Sequence, residues 1–260
     1  MKLLGVAFFV LFYSVATAPA AVLNWSTVGW PGTGPPLSNT YTNVGGSGVN
    51  VTVAFSGNTS PPPAGALEPG NPNTTSATIG GTGKPSLQAD VLFPSSATAG
   101  ITVTITFSRP VYVQNLNILD VDATLSNGGW QDQISAINGV AAGGQTVNPV
   151  AVVPGGTAVK VTGGPSNFTA IGQSNTDNSS TSNVSVSFGN IQVTQISFLY
   201  SPGQNQPTNP QAQRIGLDNI TFSLTPEVGP SLAAMTLCGL VMVARMRQEQ
   251  RSKKRSKAPA

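Results

Sequence analysis

The chain has 260 residues, with 12 basic and nine acidic side chains, one cysteine and no histidine. Without histidine, Ser-His-Asp triads, Cys-His dyads and His-ligated metals are excluded, and the single Cys238 excludes an internal disulfide. Residues 22–225 carry four bases (Lys84, Arg109, Lys160, Arg214) against seven acids, a net charge of −3, so the body has no basic nucleic-acid face.

Residues 1–21 read as a secretory signal peptide. Met1-Lys2 precedes the apolar stretch Leu3 to Val15, and the small residues Ala16-Thr17-Ala18-Pro19-Ala20-Ala21 follow. The pattern predicts cleavage after Ala20 or Ala21, and entry through the Sec translocon. An uncleaved N-terminal anchor is the alternative. No cysteine follows the apolar stretch, so it is not a lipoprotein leader.

The next 200 or so residues suffice for one core. They contain short runs with an alternating apolar pattern, separated by Gly, Pro, Asn and Ser clusters. The expected strands are Val49–Ser56, Leu87–Phe93, Ile101–Phe107, Val111–Val121, Ala158–Thr162, Val184–Phe188, Ile191–Tyr200 and Ile215–Leu224. In Ile101–Phe107, residues Ile101, Val103, Ile105 and Phe107 share one face and Thr102, Thr104 and Thr106 the other. Ser108-Arg109-Pro110 is expected to turn the chain into the next strand. The Pro-, Gly-, Asn- and Thr-rich stretch Gly57–Pro85 is expected to be a long irregular loop. No stretch of the body has helical periodicity. The pattern predicts an all-β fold: one antiparallel β-sandwich or jelly-roll-like domain over residues 22–225.

Four acids draw notice. Asp120 and Asp122 flank Val121, and Asp132 and Asp218 can join them if the last strand lies alongside. Carboxylates with backbone and Asn oxygens are what Ca²⁺ needs, so a structural calcium is one expectation. The other is that these acids cap turns or bond to Arg109 and Arg214. A glycosidase would need two carboxyls about 5–9 Å apart across a cleft. Residues i and i+2 of any strand meet that distance, so it carries no weight alone. Trp25, Trp30 and above all Trp130, on a predicted loop after a Gly pair, are candidates for stacking on sugar rings, with burial in the core as the alternative.

Residues 226–260 form a third region. The run Val228–Ala244 is free of charge and, at 17 residues, is roughly 25 Å long as a helix against a hydrocarbon core of about 30 Å. It reads as one transmembrane helix. Snorkelling arginines make up the difference. The tail from 245 to 260 begins Arg245-Met246-Arg247 and holds seven bases against Glu249, a stop-transfer cluster that stays in the cytoplasm.

A Pro-Glu dipeptide, then an apolar helix, then an arginine cluster resembles the PEP-CTERM sorting signal of secreted proteins from Gram-negative, exopolysaccharide-producing bacteria. The resemblance covers roughly Thr225–Arg247, with Pro226, Glu227 and Val228 as the motif, and Val228 stands where the family pattern has proline. It implies an exosortase-type membrane protease as partner and a destination at the cell surface or outside it. An uncut C-terminal anchor is the alternative. In addition, Thr106–Val111 and Leu119–Asp122, closed by Gly216–Phe222, are similar to β-sandwich domains of many bacterial surface proteins, over about Leu87–Leu224. The expected function is a non-enzymatic envelope or matrix protein without cofactor. A carbohydrate-binding module, with exopolysaccharide and calcium as ligands, is the alternative, and a glycoside hydrolase the third reading.

Overall fold

Alternation in the sequence becomes strand pairing throughout. The structure is a computed structural model that describes residues 19–31, 36–57, 66–67, 70–75, 79–93, 100–126, 129–176, 179–205 and 211–224. All of these belong to the unit Pro19–Pro226. The leader expected from sequence, up to Ala18, the Pro226-Glu227-Val228 motif, the apolar run and the basic tail lie outside the described residues. Among the described residues no helix is long and apolar enough to cross a membrane.

The chain starts with β1 (Ala21–Leu23), the single turn α1 (Trp25–Val28), β2 (Ser38–Tyr41) and β3 (Val51–Gly57). Next come β4 (Ala66–Leu67), β5 (Asn73–Thr75), β6 (Ser86–Phe93) and β7 (Ile101–Asn115). The middle holds β8 (Asn117–Leu119), β9 (Ala123–Thr124), β10 (Trp130–Ala141), β11 (Thr146–Val147) and β12 (Ala151–Pro154). The last six are β13 (Val159–Thr162), β14 (Thr169–Gly172), β15 (Val184–Ser187), β16 (Val193–Pro202), β17 (Gln211–Leu217) and β18 (Ile220–Ser223).

These strands form two antiparallel sheets. The larger runs β1-β18-β7-β16-β10-β14-β13, with β3 also on β7, β2 on β3, and β9 and β11 on β10. The smaller runs β12-β15-β8-β17-β6-β4, with β5 also on β6. Their apolar faces share one core. A small void between them is lined by Phe55, Val103 and Phe198 from the larger sheet and Leu87, Ala89 and Ile215 from the smaller. The all-β, two-sheet expectation holds.

The row Ile101, Val103, Ile105 and Phe107 is buried, each at 2 % exposure or less, and the threonines between are half-buried. Ser108-Arg109-Pro110 makes no turn: β7 runs straight through it for 15 residues. The partner register slips there, from Thr106 opposite Gln195 to Val111 opposite Val193. The triplet is a bulge, and a bulge is where a strand accepts proline, whose missing N–H would otherwise leave a ladder bond unmade. At the bulge β7 also changes neighbour, from β3 along Ile101–Phe107 to β18 along Tyr112–Asn115.

The expected strand Ile215–Leu224 is two strands in different sheets, β17 and β18, broken at Asp218-Asn219. The side chain of Asp218 accepts from the backbone N–H of Asn219 at 2.7 Å, a local bond that favours a turn over a ladder. Gly57–Pro85 is likewise not wholly irregular. β4 and β5 both pair with β6, and Ile79–Gly81 forms a 3₁₀ turn. Asn73–Thr75 has no apolar alternation to announce it, because backbone bonds to β6 rather than buried side chains hold it.

Candidate functional site

The sheets are joined by the acidic stretch singled out in the sequence. β8 ends at Leu119 in the smaller sheet and β9 begins at Ala123 in the larger, so Asp120-Val121-Asp122 is the crossover. Asp120 has φ +64°, in the left-handed region that Asp tolerates better than most residues, and its N–H donates to Asn183 Oδ1 at 3.2 Å. The expected strand Val111–Val121 thus stops short of the acids and breaks at Leu116.

Beyond the crossover, β9 and β10 form a hairpin with Trp130 opposite Thr124 and Gln131 opposite Ala123. The next step brings Asp132 opposite Asp122. The Asp132 N–H donates to the Asp122 carbonyl at 2.9 Å, and the Asp122 N–H reaches Asp132 Oδ2 at 3.3 Å. Across the sheet, the Tyr200 hydroxyl donates to Asp132 Oδ1 at 2.8 Å. Asp122 accepts from Trp130 Nε1 at 2.9 Å and from the Thr176 backbone N–H at 3.0 Å. Gly172 makes room for this arrangement: a Cβ at that position would collide with the Asp122 carbonyl.

Burial sets the electrostatics. Asp132 is fully buried and Asp122 is 2 % exposed. Loss of solvation pushes the Asp132 carboxyl well above the usual carboxylate range; the Tyr200 hydrogen bond opposes this, and the nearby Asp122 charge adds to it. The Tyr200 phenol is raised in turn, chiefly by burial and then by the Asp132 charge. Carboxylates wrapped by N–H and O–H donors brace the join between hairpin and crossover.

Asp218 does not join them. Register places it beside Asn117, at the end of β8 away from Asp120, roughly 10 Å along the strand. Its Oδ2 accepts from Asn117 Nδ2 at 3.2 Å, and its carbonyl from Trp25 Nε1 at 3.0 Å. Among the described residues no three of His, Cys, Asp and Glu stand together as a metal site. Asp122 and Asp132 are buried in the join and do not line an open cleft. Of the cations expected to meet these acids, Arg214 bonds Asp90 instead, at 2.8 Å.

The tryptophans divide. Trp25 and Trp30 are core residues, set edge-on against Tyr41 at 5.7 Å and Phe55 at 5.8 Å. Trp130 is half-buried, its ring fixed by the bond to Asp122. It opens β10 and is not on a free loop. Sequence reasoning missed Tyr200 and Gln131. Gln131 is buried, donating to the Gly172 carbonyl at 2.9 Å and accepting from the Asn205 N–H at 2.9 Å. A shallow, uncharged groove of about 390 Å³ lies between α1 and β5, lined by Ser26, Thr27, Thr74 and Thr75 among others.

Fold and site define an antiparallel two-sheet β protein whose acidic cluster joins the sheets. Comparison with family models, curated proteins and solved structures returns no significant match.

Proposed function

We propose that the chain is an exported, non-enzymatic protein of the cell envelope or extracellular matrix, delivered by its N-terminal leader and sorted by its C-terminal segment. One observation carries the reading: the order Pro226-Glu227-Val228, uncharged run to Ala244, and Arg245-Met246-Arg247. In this reading the apolar run halts export, the basic tail stays inside, and an exosortase-type protease meets the motif at the outer face. The extent of the β body is consistent with it: β1 starts at Ala21, the last residue of the leader as bounded from sequence and so one residue earlier than the expected start of the body, and β18 ends at Ser223, ahead of the Pro226-Glu227-Val228 motif. The test is the intact mass of the protein in membrane and medium fractions of its host. A secreted form ending near Thr225 is expected. A secreted form that keeps the Cys238 peptide would overturn the reading.

A second reading, a carbohydrate-binding module, is favoured by Trp130 alone, a partly exposed ring held in place by a buried carboxylate. It predicts glycan binding that is lost in Trp130→Ala while the fold is kept. Equal glycan retention by both proteins would remove it. Calcium, if it takes part, would raise the melting temperature of the wild type and not of Asp120→Asn; no shift in either protein ends that idea.

A further inference from the structure

The first strand of the body is closed by the last. Ala21, Val22 and Leu23 of β1 stand opposite Phe222, Thr221 and Ile220 of β18. Ala21 is 4 % exposed and Leu23 fully buried, whereas Pro19 and Ala20 are exposed. The turn Val44–Gly46 packs over the start of β1, so that a Cβ on Gly45 would lie 3.2 Å from Ala21 Cα. Trp25 fastens the other end: its N–H donates to Asn219 Oδ1 at 2.9 Å and its Nε1 to the Asp218 carbonyl at 3.0 Å.

We propose that the leader is removed by hydrolysis of the Ala20–Ala21 bond, the cut that leaves every β1–β18 pair intact, and that this happens before β1 closes on β18. The proposal rests on the export reading above. A leader peptidase adds water across that amide, breaking the C–N bond and leaving a carboxylate on Ala20 and an amine on Ala21. Peptidases hold their substrates extended, through backbone hydrogen bonds on both sides of the scissile bond. In the closed clasp the backbone just after this bond is already in a ladder, under the Val44–Gly46 turn. A cut after Ala20 keeps all three cross-strand pairs, and a cut after Ala21 removes the Ala21–Phe222 pair. Closure also needs β18, which leaves the ribosome about 200 residues after β1. The bond therefore stays open while the body is exported and is sealed once Ser223 has crossed.

A cross-link reports the closure. Val22 and Thr221 are directly opposed, and neither is buried. Their Cα atoms fall within disulfide reach, as in any antiparallel pair. The full chain with its own leader, carrying Val22→Cys and Thr221→Cys in a Cys238→Ser background, is pulse-labelled during export into an oxidising periplasm. Leader-bearing and leader-free chains are then resolved by size with and without reductant, and the mature N-terminus is sequenced. Expected are a cross-link at least tenfold enriched in leader-free chains and an N-terminus at Ala21. A cross-linked chain that keeps its leader, a mature N-terminus at Val22, or no cross-link in either pool would overturn the proposal. If a membrane-impermeant thiol reagent labels no chain of the single variant Val22→Cys, Cys238→Ser, the export reading fails, and the proposal with it.

Discussion

Tyr200 donates its hydroxyl proton to Oδ1 of Asp132 at 2.8 Å, and both side chains are fully buried. Tyr200 is also packed edge-on against Phe93 of the smaller sheet, 4.9 Å between ring centres. One phenol therefore joins the core between the sheets to the acidic brace at their crossover.

The first prediction concerns this pair. Burial raises the Asp132 carboxyl well above its unfolded value, so the folded state holds the proton more tightly than the unfolded chain. Stability from this group is greatest below about pH 4, where both states are protonated. It falls as pH rises from there towards the folded value, and every tenfold tightening of proton binding corresponds to about 1.4 kcal/mol. Asp132→Asn removes the titration. Denaturant unfolding of both proteins should show the variant gaining on the wild type from pH 4 upwards. A difference that does not change with pH would refute the assignment. Tyr200→Phe should cost about 1–3 kcal/mol and show less than additive loss with Asp132→Ala, since both of these changes break one bond.

The second prediction concerns the close approach at Gly172. Gly172→Ala drives a methyl into the Asp122 carbonyl, where only backbone can yield. A loss of about 1–3 kcal/mol is expected, the usual cost of overpacking. Gly164→Ala is the control: nothing lies within 4 Å of its Cβ, and its φ is not in the left-handed region. It should be neutral or slightly stabilising, through a less flexible unfolded chain. Equal melting temperatures for the two variants would contradict the geometry.

The same contrast between side-chain pattern and backbone fit explains what the sequence could and could not reveal. Ile101–Phe107 announces itself because each apolar residue enters the core and each threonine does not. β10 gives no such signal. Gln131 and Asp132 are both buried polar residues, and the register slips between Ser135 and Asn138, where Ala136 has φ +48°. A bulge resets the alternation, and buried polar groups invert it. Asp122 and Asp132 are suggestive as a pair of acids, but their meeting depends on the β9–β10 register, and Tyr200 joins them only through β16. Asp218 looks equivalent by residue type, yet the break after Leu217 sends it to Asn117.

The third prediction tests the central strand. Ile105 is fully buried, with Ile196 on one side and Val53 on the other. Ile105→Ala should cost about 2–5 kcal/mol, from lost transfer energy and the remaining cavity. Ile105→Asp buries an unpaired charge and should leave the body unfolded at room temperature, read as lost near-ultraviolet circular dichroism. Thr104→Asp, on the half-buried face, should keep the folded spectrum. If Ile105→Asp also keeps it, the sheet does not face the core as described.

The fourth prediction bears on sorting. Val228–Ala244 contains no charge, and Met235 lies near its middle. An arginine at the centre of a span costs about 2.5–3.5 kcal/mol for insertion, enough to shift the partition more than tenfold. Met235→Arg should therefore deplete the membrane-held precursor and release chains whose C-terminus is intact, read by mass in the medium. Met235→Leu should behave as the wild type. The substitution lies outside the β body, so the released body should melt at the wild-type temperature, which separates a failure of retention from a failure of folding. If Met235→Arg is retained and processed like the wild type, the apolar run is not what holds the protein during sorting, and Pro226-Glu227-Val228 would need another route to a membrane protease.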